Sequence, residues 1–404
     1  MRILVLTERF FPEEFLVNDL VRAWTAAGHK VSVLTQEPSY PHDRLFDGYR
    51  NRLYRVTREM PGVTVHRVRT VLGYNRSVFR KVLNYVSFAF LTCSWAIAAG
   101  WRYDRVFAYH TGPLTMATAA VPLHFLWRRK IAIWTQDLWP DAVYAYGFKK
   151  SRVREFLLDA FVRLVYASCR AVAVSCPAYV QALSARIRRP VEFVPQWDVG
   201  GRELPEKPSG GKLVFTFTGN IGVPQELPAL ARGFAAAGLE NAELHIVGGG
   251  VKLEELRDTV ERGGLRNIVV HGRRPHSEME KFLAAADVLV LPLSSKFALT
   301  LPGKFQAYLK AGRPIFGAIE GAAADFIRDC GLGVAVKPGD EAEIARGFRE
   351  MASRRAEFPV WRRNALALSS ERFDRERTIA RLTRMVADGQ EAAQAGAAET
   401  GKED

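Results

Sequence analysis

The sequence predicts an α/β protein of two Rossmann-like domains facing a cleft. Strand-like and helix-like patterns alternate along almost all of the 404 residues, which argues for parallel sheets with helices on both faces. The alternation breaks once, in the polar, Gly- and Pro-rich run DVGGRELPEKPSGGK. The chain is also long enough to bury two separate cores.

Taken in order, RILVLT (2–7) is a buried first strand. A loop through Pro12 leads to a helix whose apolar positions Leu16, Leu20, Ala23, Trp24 and Ala27 share one face, and Gly28 ends it. KVSVLT, VTVHRV, RVFAYH, KIAIWT, AVAVS and VEFVP follow as strands. Beyond the break come LVFTFTG, AELHIVG, NIVVHG, DVLVLPL, RPIFGA and GVAVK, with helices between them. The expected organisation is a first domain at 1–197, a linker at 198–212, a second domain at 213–370, a helix at 371–388 and a disordered tail at 389–404.

Composition is globular, with 48% hydrophobic and 25% charged residues. The net charge of +14 predicts an anionic partner: nucleic acid, a phospholipid surface or a phosphorylated substrate. No zinc spacing, RNA-binding aromatic signature or readable helix-turn-helix occurs, so no nucleic acid is expected. The cysteines Cys93, Cys169, Cys176 and Cys330 form no spaced framework, which fits a reducing cytoplasm. The start, MRILVLTERFFPEE, becomes acidic and proline-broken too early for a signal peptide. RKVLNYVSFAFLTCSWAIAAGWR is the longest apolar run, flanked by Arg80, Lys81 and Arg102. A span needs about 20 apolar residues, and Asn84 and Ser87 interrupt this one. With MATAAVPLHFLWRRK it predicts apolar helices with basic rims on an anionic membrane surface, peripheral on the inner face; a core helix and a true span are the rival readings.

The chemistry is expected in loops that follow strands, where ligands bind in such sheets. In FTFTGNIGVPQELPALARGF, Gly219 and Gly222 would let backbone N–H groups approach a ligand, with a helix opening near Pro224. Gly248, Gly249 and Gly250 repeat the pattern; an ordinary strand–helix turn explains either run as well. No GxGxxG with a suitably placed ribose-binding acid occurs, so a nicotinamide site is not expected. In LTLPGKFQAYLKAGRPIFG, residues Thr300, Pro302 and Gly303 open a helix beside the Lys304 ammonium, a cradle for a diphosphate. Cations are disfavoured at a helix N-terminus, so a lysine there suggests a ligand more than a solvated first turn does. In the first half, Glu13, Glu14, Asn18 and Asp19 follow one strand, His110 another, and Asp137, Trp139 and Asp141 a third. Carboxylates and imidazole suit hydroxyl acceptors, and Trp and Tyr faces suit sugar rings. His110 and Asp137 are the catalytic candidates, and Glu14, Asn18, Trp139 and Asp141 belong to the acceptor side. The plainer alternatives are a satisfied strand-end histidine, a capping Asp137 and a core Trp139. Absence of an Asp-x-Asp motif predicts no bound metal.

The stretches FFPEEFLVNDLVRAWTAAGHKVSVLT, PSYP, DLWP, FTGNIGVPQEL and LPGKFQAYLKAGRPI together resemble the retaining glycosyltransferases of family 4, and more narrowly the WbuB/WcaI-type bacterial polysaccharide transferases. The resemblance runs from the first strand to about residue 330. It implies the GT-B fold, a nucleotide-sugar donor on the second domain, and a final helix crossing back to the first. It also implies a polyprenyl-diphosphate-linked saccharide acceptor on the first domain and metal-independent front-face transfer in surface polysaccharide synthesis. Members often carry two glutamates where this chain has Leu299 and Ala307, and an Arg and a Lys on the diphosphate near Asn220 and Gln225. More of the phosphate charge would then fall on Lys304. A sugar-nucleotide epimerase of the same fold and a non-catalytic partner of a transferase are the alternative functions.

Overall fold

The computed structural model describes residues 1–40, 43–74, 76–141, 144, 151–207 and 210–388. The chain divides into two compact units, one of Met1–Pro195 together with the residues from Glu376 onward, the other Gln196–Arg375. The tail expected to be disordered, 389–404, lies outside the described residues, as do Pro208 and Ser209 of the predicted linker.

The first unit holds an eight-stranded sheet in the order β3-β4-β2-β1-β5-β6-β7-β8. Its strands are β1 (Arg2–Leu6), β2 (Lys30–Gln36), β3 (Tyr54–Thr57), β4 (Val63–Val68), β5 (Arg105–His110), β6 (Lys130–Thr135), β7 (Ala171–Val174) and β8 (Glu192–Phe193). All pair parallel except β3, which runs antiparallel on β4. The central strands are continuous apolar runs because both faces of the sheet are covered. The sequence reading missed β3, an edge strand whose YRVT lacks a buried run.

The helix Leu16–Ala26 forms where expected, but rotated. Val17, Leu20, Val21 and Trp24 are buried, whereas Ala27 is exposed and Leu16 and Ala23 only half-buried. The two stripes share Leu20 and Trp24, so periodicity alone could not separate them. The rotation is fixed by Trp24, whose Nε1 donates to Thr383 Oγ1 at 2.8 Å. Thr383 lies on the last helix, Arg375–Asp388, which returns to the first unit. There Arg105 Nε donates to the Ala387 carbonyl at 2.9 Å, and Arg381 Nε to Glu192 at 2.7 Å.

The second unit is a parallel six-stranded sheet, β11-β10-β9-β12-β13-β14. Its strands are β9 (Leu213–Thr218), β10 (Ala242–Val247), β11 (Ile268–Gly272), β12 (Val288–Pro292), β13 (Ile315–Ala318) and β14 (Gly333–Val336). Its core contains Phe215, Phe234, Phe316 and Phe348; Phe348 stacks on Phe316 at 4.0 Å and meets Phe215 edge-on at 5.0 Å. Such pairs contribute about 0.5–1.5 kcal/mol each beyond burial.

The predicted linker is a strap along this unit in its described part. Lys207 pairs with Asp287 at 2.7 Å, Arg313 donates to the Pro205 carbonyl at 2.9 Å, and Arg362 donates to the Leu204 carbonyl at 2.7 Å. Polar composition marked a chain without its own core contacts, but cationic side chains elsewhere hold its carbonyls down.

Candidate functional site

In the second unit the site is built at the end of β9. Gly219 takes φ +136, and its N–H donates to the Val247 carbonyl at 2.8 Å. Gly248 has φ +155, and a Cβ there would stand 1.7 Å from the Gly219 oxygen. The glycines therefore allow two backbones to cross in contact. Their amides are not offered outward as expected: Gly248 N–H donates to the Gly272 carbonyl at 2.9 Å, and Gly222 N–H to Gln225 Oε1 at 3.1 Å. Gln225 thus closes the turn. Asn220 is exposed, its side chain lying between Gly222 and Gly250. The helix expected near Pro224 begins as a short 3₁₀ turn, Val223–Gln225, and continues as Leu227–Ala236.

The crossing backbones form the floor for Lys304. This residue begins the helix Lys304–Ala311 and lies on the same face as Tyr308. Thr218 N–H donates to the Tyr308 hydroxyl at 3.4 Å, which in turn donates to the Val290 carbonyl at 3.3 Å, so the helix is tied to β9. Lys304 runs directly over Gly219, where a Cβ would stand 2.2 Å from its Cε. Its Nζ sits 3.9 Å from the centre of the buried Phe217 ring. Burial pushes the Lys304 ammonium down to about 7. Among the described residues no carboxylate pairs with it.

The turn before the helix is short and held. Thr300 N–H donates to the Phe297 carbonyl at 2.8 Å, and Phe305 N–H to the Pro302 carbonyl at 2.9 Å. Gln306, with its amide nitrogen turned toward the turn, donates to Gly303 and Pro302 at 2.8 and 3.1 Å. Leu299 is exposed and Ala307 half-buried. Arg273, which the sequence reading did not single out, stands beside Gly249, where a Cβ would be 3.4 Å from the Arg273 Cβ. A cavity of about 450 Å³ on another face of the same helix is lined by Gln306, Lys310 and Phe373, but not by Lys304 or the glycine turns.

In the first unit the ends of β1, β2, β5 and β6 carry a buried polar cluster. Glu13 is its hub: Oε1 accepts from the amides of Ser39 and Tyr40 at 2.9 and 2.7 Å and from Arg9 at 3.3 Å, and Oε2 accepts from Phe10 N–H at 3.3 Å. Arg9 also pairs with Glu8 at 3.2 Å, and Gln36 Nε2 donates to Glu8 at 3.1 Å. Burial pushes the Glu8 carboxyl up, which Arg9 opposes and Glu13 reinforces. Asn18 uses both ends of its amide inside this loop, accepting from Phe11 N–H at 3.1 Å and donating to the Glu13 carbonyl at 2.7 Å. Glu14 points to solvent.

His110 ends β5 with no exposed surface. Its Nδ1 lies 3.3 Å from Thr135 Oγ1, and its Nε2 is buried without a partner among the described residues. Burial pushes it down to about 3, with the Gly112 backbone opposing in part, so it is a neutral imidazole at physiological pH. Asp137 Oδ2 accepts from Gly112 N–H at 2.6 Å; burial pushes this carboxyl up and that hydrogen bond opposes. A Cβ on Gly112 would lie 3.7 Å from Glu8 Oε2, so Glu8, Asp137 and the residues after His110 meet around one glycine. Asp141 belongs elsewhere, paired with Arg186 at 2.7 Å, and the Trp139 carbonyl accepts from the same guanidinium at 3.2 Å. Glu8, Arg9 and Gln36 went unread in the sequence; the one available signal was a charged TER following a buried strand.

Two glycosyltransferase models match the chain in succession: "Glycosyl transferase 4-like domain" over residues 15–197 and "Glycosyl transferases group 1" over 212–354. The chain is similar to the probable glycosyltransferase WbjE of Pseudomonas aeruginosa, 23% identical over 259 residues, which are 60% of this chain and 64% of the relative. It therefore spans less than two thirds of that relative's length. Among solved structures it resembles sucrose-phosphate synthase from Thermosynechococcus elongatus, with a TM-score of 0.72, 14% identity, and 96% and 98% of the two chains covered. HepE from Anabaena, solved with UDP and glucose, gives a TM-score of 0.67 at 14% identity, with 96% and 100% covered. With two Rossmann-like units, a last helix returning to the first, and glycosyltransferase models matching both segments in succession, the chain has the GT-B fold of glycosyltransferases.

Proposed function

We propose that this chain is a retaining, metal-independent glycosyltransferase that moves a sugar from a nucleoside-diphosphate donor to a lipid-linked saccharide in surface polysaccharide synthesis, as WbuB/WcaI-type enzymes do. One observation carries the donor half: Lys304, a half-buried cation on a glycine floor with no carboxylate partner among the described residues. An ammonium partly withdrawn from water without a counter-charge is costly, and a bound diphosphate supplies the missing anion. Lys304 would meet the phosphate, Arg273 would add charge from the Gly249 side, and Asn220 and the turn from Thr300 to Gly303 would border the donor. HepE, which shares the fold, is solved with UDP-glucose, and that supports a nucleotide sugar here.

On the acceptor half, Asp137 would position the loop after His110 through the Gly112 amide, with Glu8 as the neighbouring carboxylate. His110, neutral and enclosed, would help shape the pocket without relaying a proton. The leaving phosphate, neutralised by Lys304, would then deprotonate the acceptor hydroxyl in a front-face displacement: the new glycosidic bond forms as the sugar–phosphate bond breaks.

A thermal-shift screen with UDP, GDP and their sugars tests this reading. One nucleotide family should raise the unfolding midpoint, identifying the base. No shift with any nucleotide sugar at millimolar concentration would contradict it.

A further inference from the structure

The helix Val78–Ala99 is built inside out. Its buried positions are Asn84, Phe88, Thr92, Ala96 and Ala99, while Phe79, Val82, Leu83, Val86, Phe90 and Ile97 face outward. Phe79 is 74% exposed and Phe90 69%. The inward polar groups are satisfied within the protein: Asn84 Nδ2 donates to Thr70 Oγ1 and to the Val71 carbonyl, each at 2.9 Å, and Thr92 Oγ1 to the Phe88 carbonyl at 2.8 Å. A helix on a water-facing surface turns its apolar stripe to the core. Here the more apolar stripe is turned away from it. By length and composition, Val78–Arg102 is the one helix among the described residues that could cross a membrane. Asn84 and Trp127, whose Nε1 donates to the Ala96 carbonyl at 2.9 Å, dock it on the first unit instead.

A second helix shares the character and was not singled out in the sequence. Arg152–Ala167 buries Val162, Val165 and Tyr166, and exposes Val153, Phe156, Leu157 and Leu164 on another side, with Phe156 at 73%. Between the two lies Ala120–Phe125, which packs against both and ends in exposed Phe125 and Leu126. Two helices of one layer thus present outward apolar stripes, and the short helix between them adds Phe125, far more than the single exposed apolar residues ordinary on a soluble surface.

The flanking charge is predominantly basic. From Arg76 to Arg102 the chain holds four basic residues and no acidic one, and from Arg105 to Gln136 again four and none. On Arg152–Ala167, Arg152, Arg154 and Arg163 are exposed, and of its two acids, Glu155 and Asp159, the second is engaged by Arg186 at 3.3 Å.

We propose that this three-helix face docks on an anionic lipid bilayer. Phe79, Phe90 and Phe156 enter the boundary between headgroups and acyl chains, and Arg80, Arg102, Arg128 and Arg152 meet headgroup phosphates. A second copy of the chain is the rival apolar occupant. Isologous pairing would set the same arginines against each other, and two of the three segments hold no acid to offset them. The inference concerns adhesion and stands apart from sugar transfer, since it needs neither donor nor acceptor.

The test is cosedimentation of the full chain with phosphatidylcholine vesicles, with and without phosphatidylglycerol. Binding should favour the anionic vesicles and weaken as salt screens the basic rim. The triple substitution Phe79→Ser, Phe90→Ser, Phe156→Ser should lower partitioning at least about tenfold while leaving the unfolding midpoint unchanged. If that variant does not fold, Arg80→Gln, Arg102→Gln, Arg128→Gln carries the test and should bind anionic vesicles no better than neutral ones. The proposal is overturned by wild-type binding no greater with phosphatidylglycerol than without, or by both variants binding like wild type. A concentration-dependent dimer that the phenylalanine substitutions dissolve would also overturn it.

Discussion

The two units handle charge drawn out of water in opposite ways. At the strand ends of the first, Arg9 sits between Glu8 and Glu13 and offsets them, and the Glu13 carboxylate spans amides from two loops. At the matching end of the second, Lys304 lies over Gly219 with an aromatic ring beneath it and no carboxylate beside it. A charge compensated within the protein stabilises its own loop. A charge left uncompensated costs stability in the free protein and gains its partner only when a ligand arrives. The contrast separates residues that hold a site together from those that bind with it.

Breaking the compensated side should have the largest effect. Glu13→Gln keeps the volume but removes the charge that serves Arg9 and three amides. It should cost about 3 kcal/mol of stability, the scale for breaking a buried ion pair, read by urea unfolding. Lys304→Ala should do the reverse. Donor affinity should fall by about 1.5–3 kcal/mol in calorimetry, the scale of a charge-assisted hydrogen bond, with no loss of stability.

The sign with pH sharpens this. The folded ammonium titrates near 7, below its ordinary 10.5, so between those values the unfolded chain binds more protons and stability rises with pH. The penalty from Lys304 is complete below about 7 and gone above 10.5. Lys304→Met should therefore stabilise the free protein most at neutral pH and below. A melting temperature lowered by that substitution would place Lys304 among the structural charges.

Smaller still is Asp137→Asn. It retains an oxygen to accept from Gly112, so the fold should survive, while transfer falls at least about tenfold, or roughly 1.4 kcal/mol, with donor affinity unchanged. Least of all should be any signature of His110. Held near 3, it should add no inflection to the pH–rate profile above about pH 5, and a basic limb lost in His110→Gln would contradict that.

Much of this was legible in the sequence wherever one strand or helix determined it. The central strands announce themselves as apolar runs, and Lys304 stood out because it opposes its helix dipole. The glycines were legible as glycines but not in their use. Composition cannot tell an amide freed for a ligand from a backbone crossing, and Gly248 is the latter. The Glu8–Gln36 and Glu13–Ser39 contacts join loops distant in sequence, so no local pattern marks them. The face of Leu16–Ala26 was misread because two stripes shared its largest residues, and Thr383, far along the chain, chose between them. Arg152–Ala167 hid its outward apolar stripe behind arginines and acids at intervening positions.

Donor binding measured calorimetrically across pH tests the central claim most directly, because a nucleotide sugar carries no titrating phosphate in the neutral range. If the diphosphate is the absent partner of Lys304, wild-type affinity should hold below about pH 7. Above it, affinity should fall toward tenfold per pH unit as the free ammonium is lost, with about one proton taken up per donor bound in that window. Lys304→Ala should bind weakly with neither the slope nor the proton. A wild-type affinity flat from pH 6 to 9, or a slope that persists in Lys304→Ala, would contradict the account.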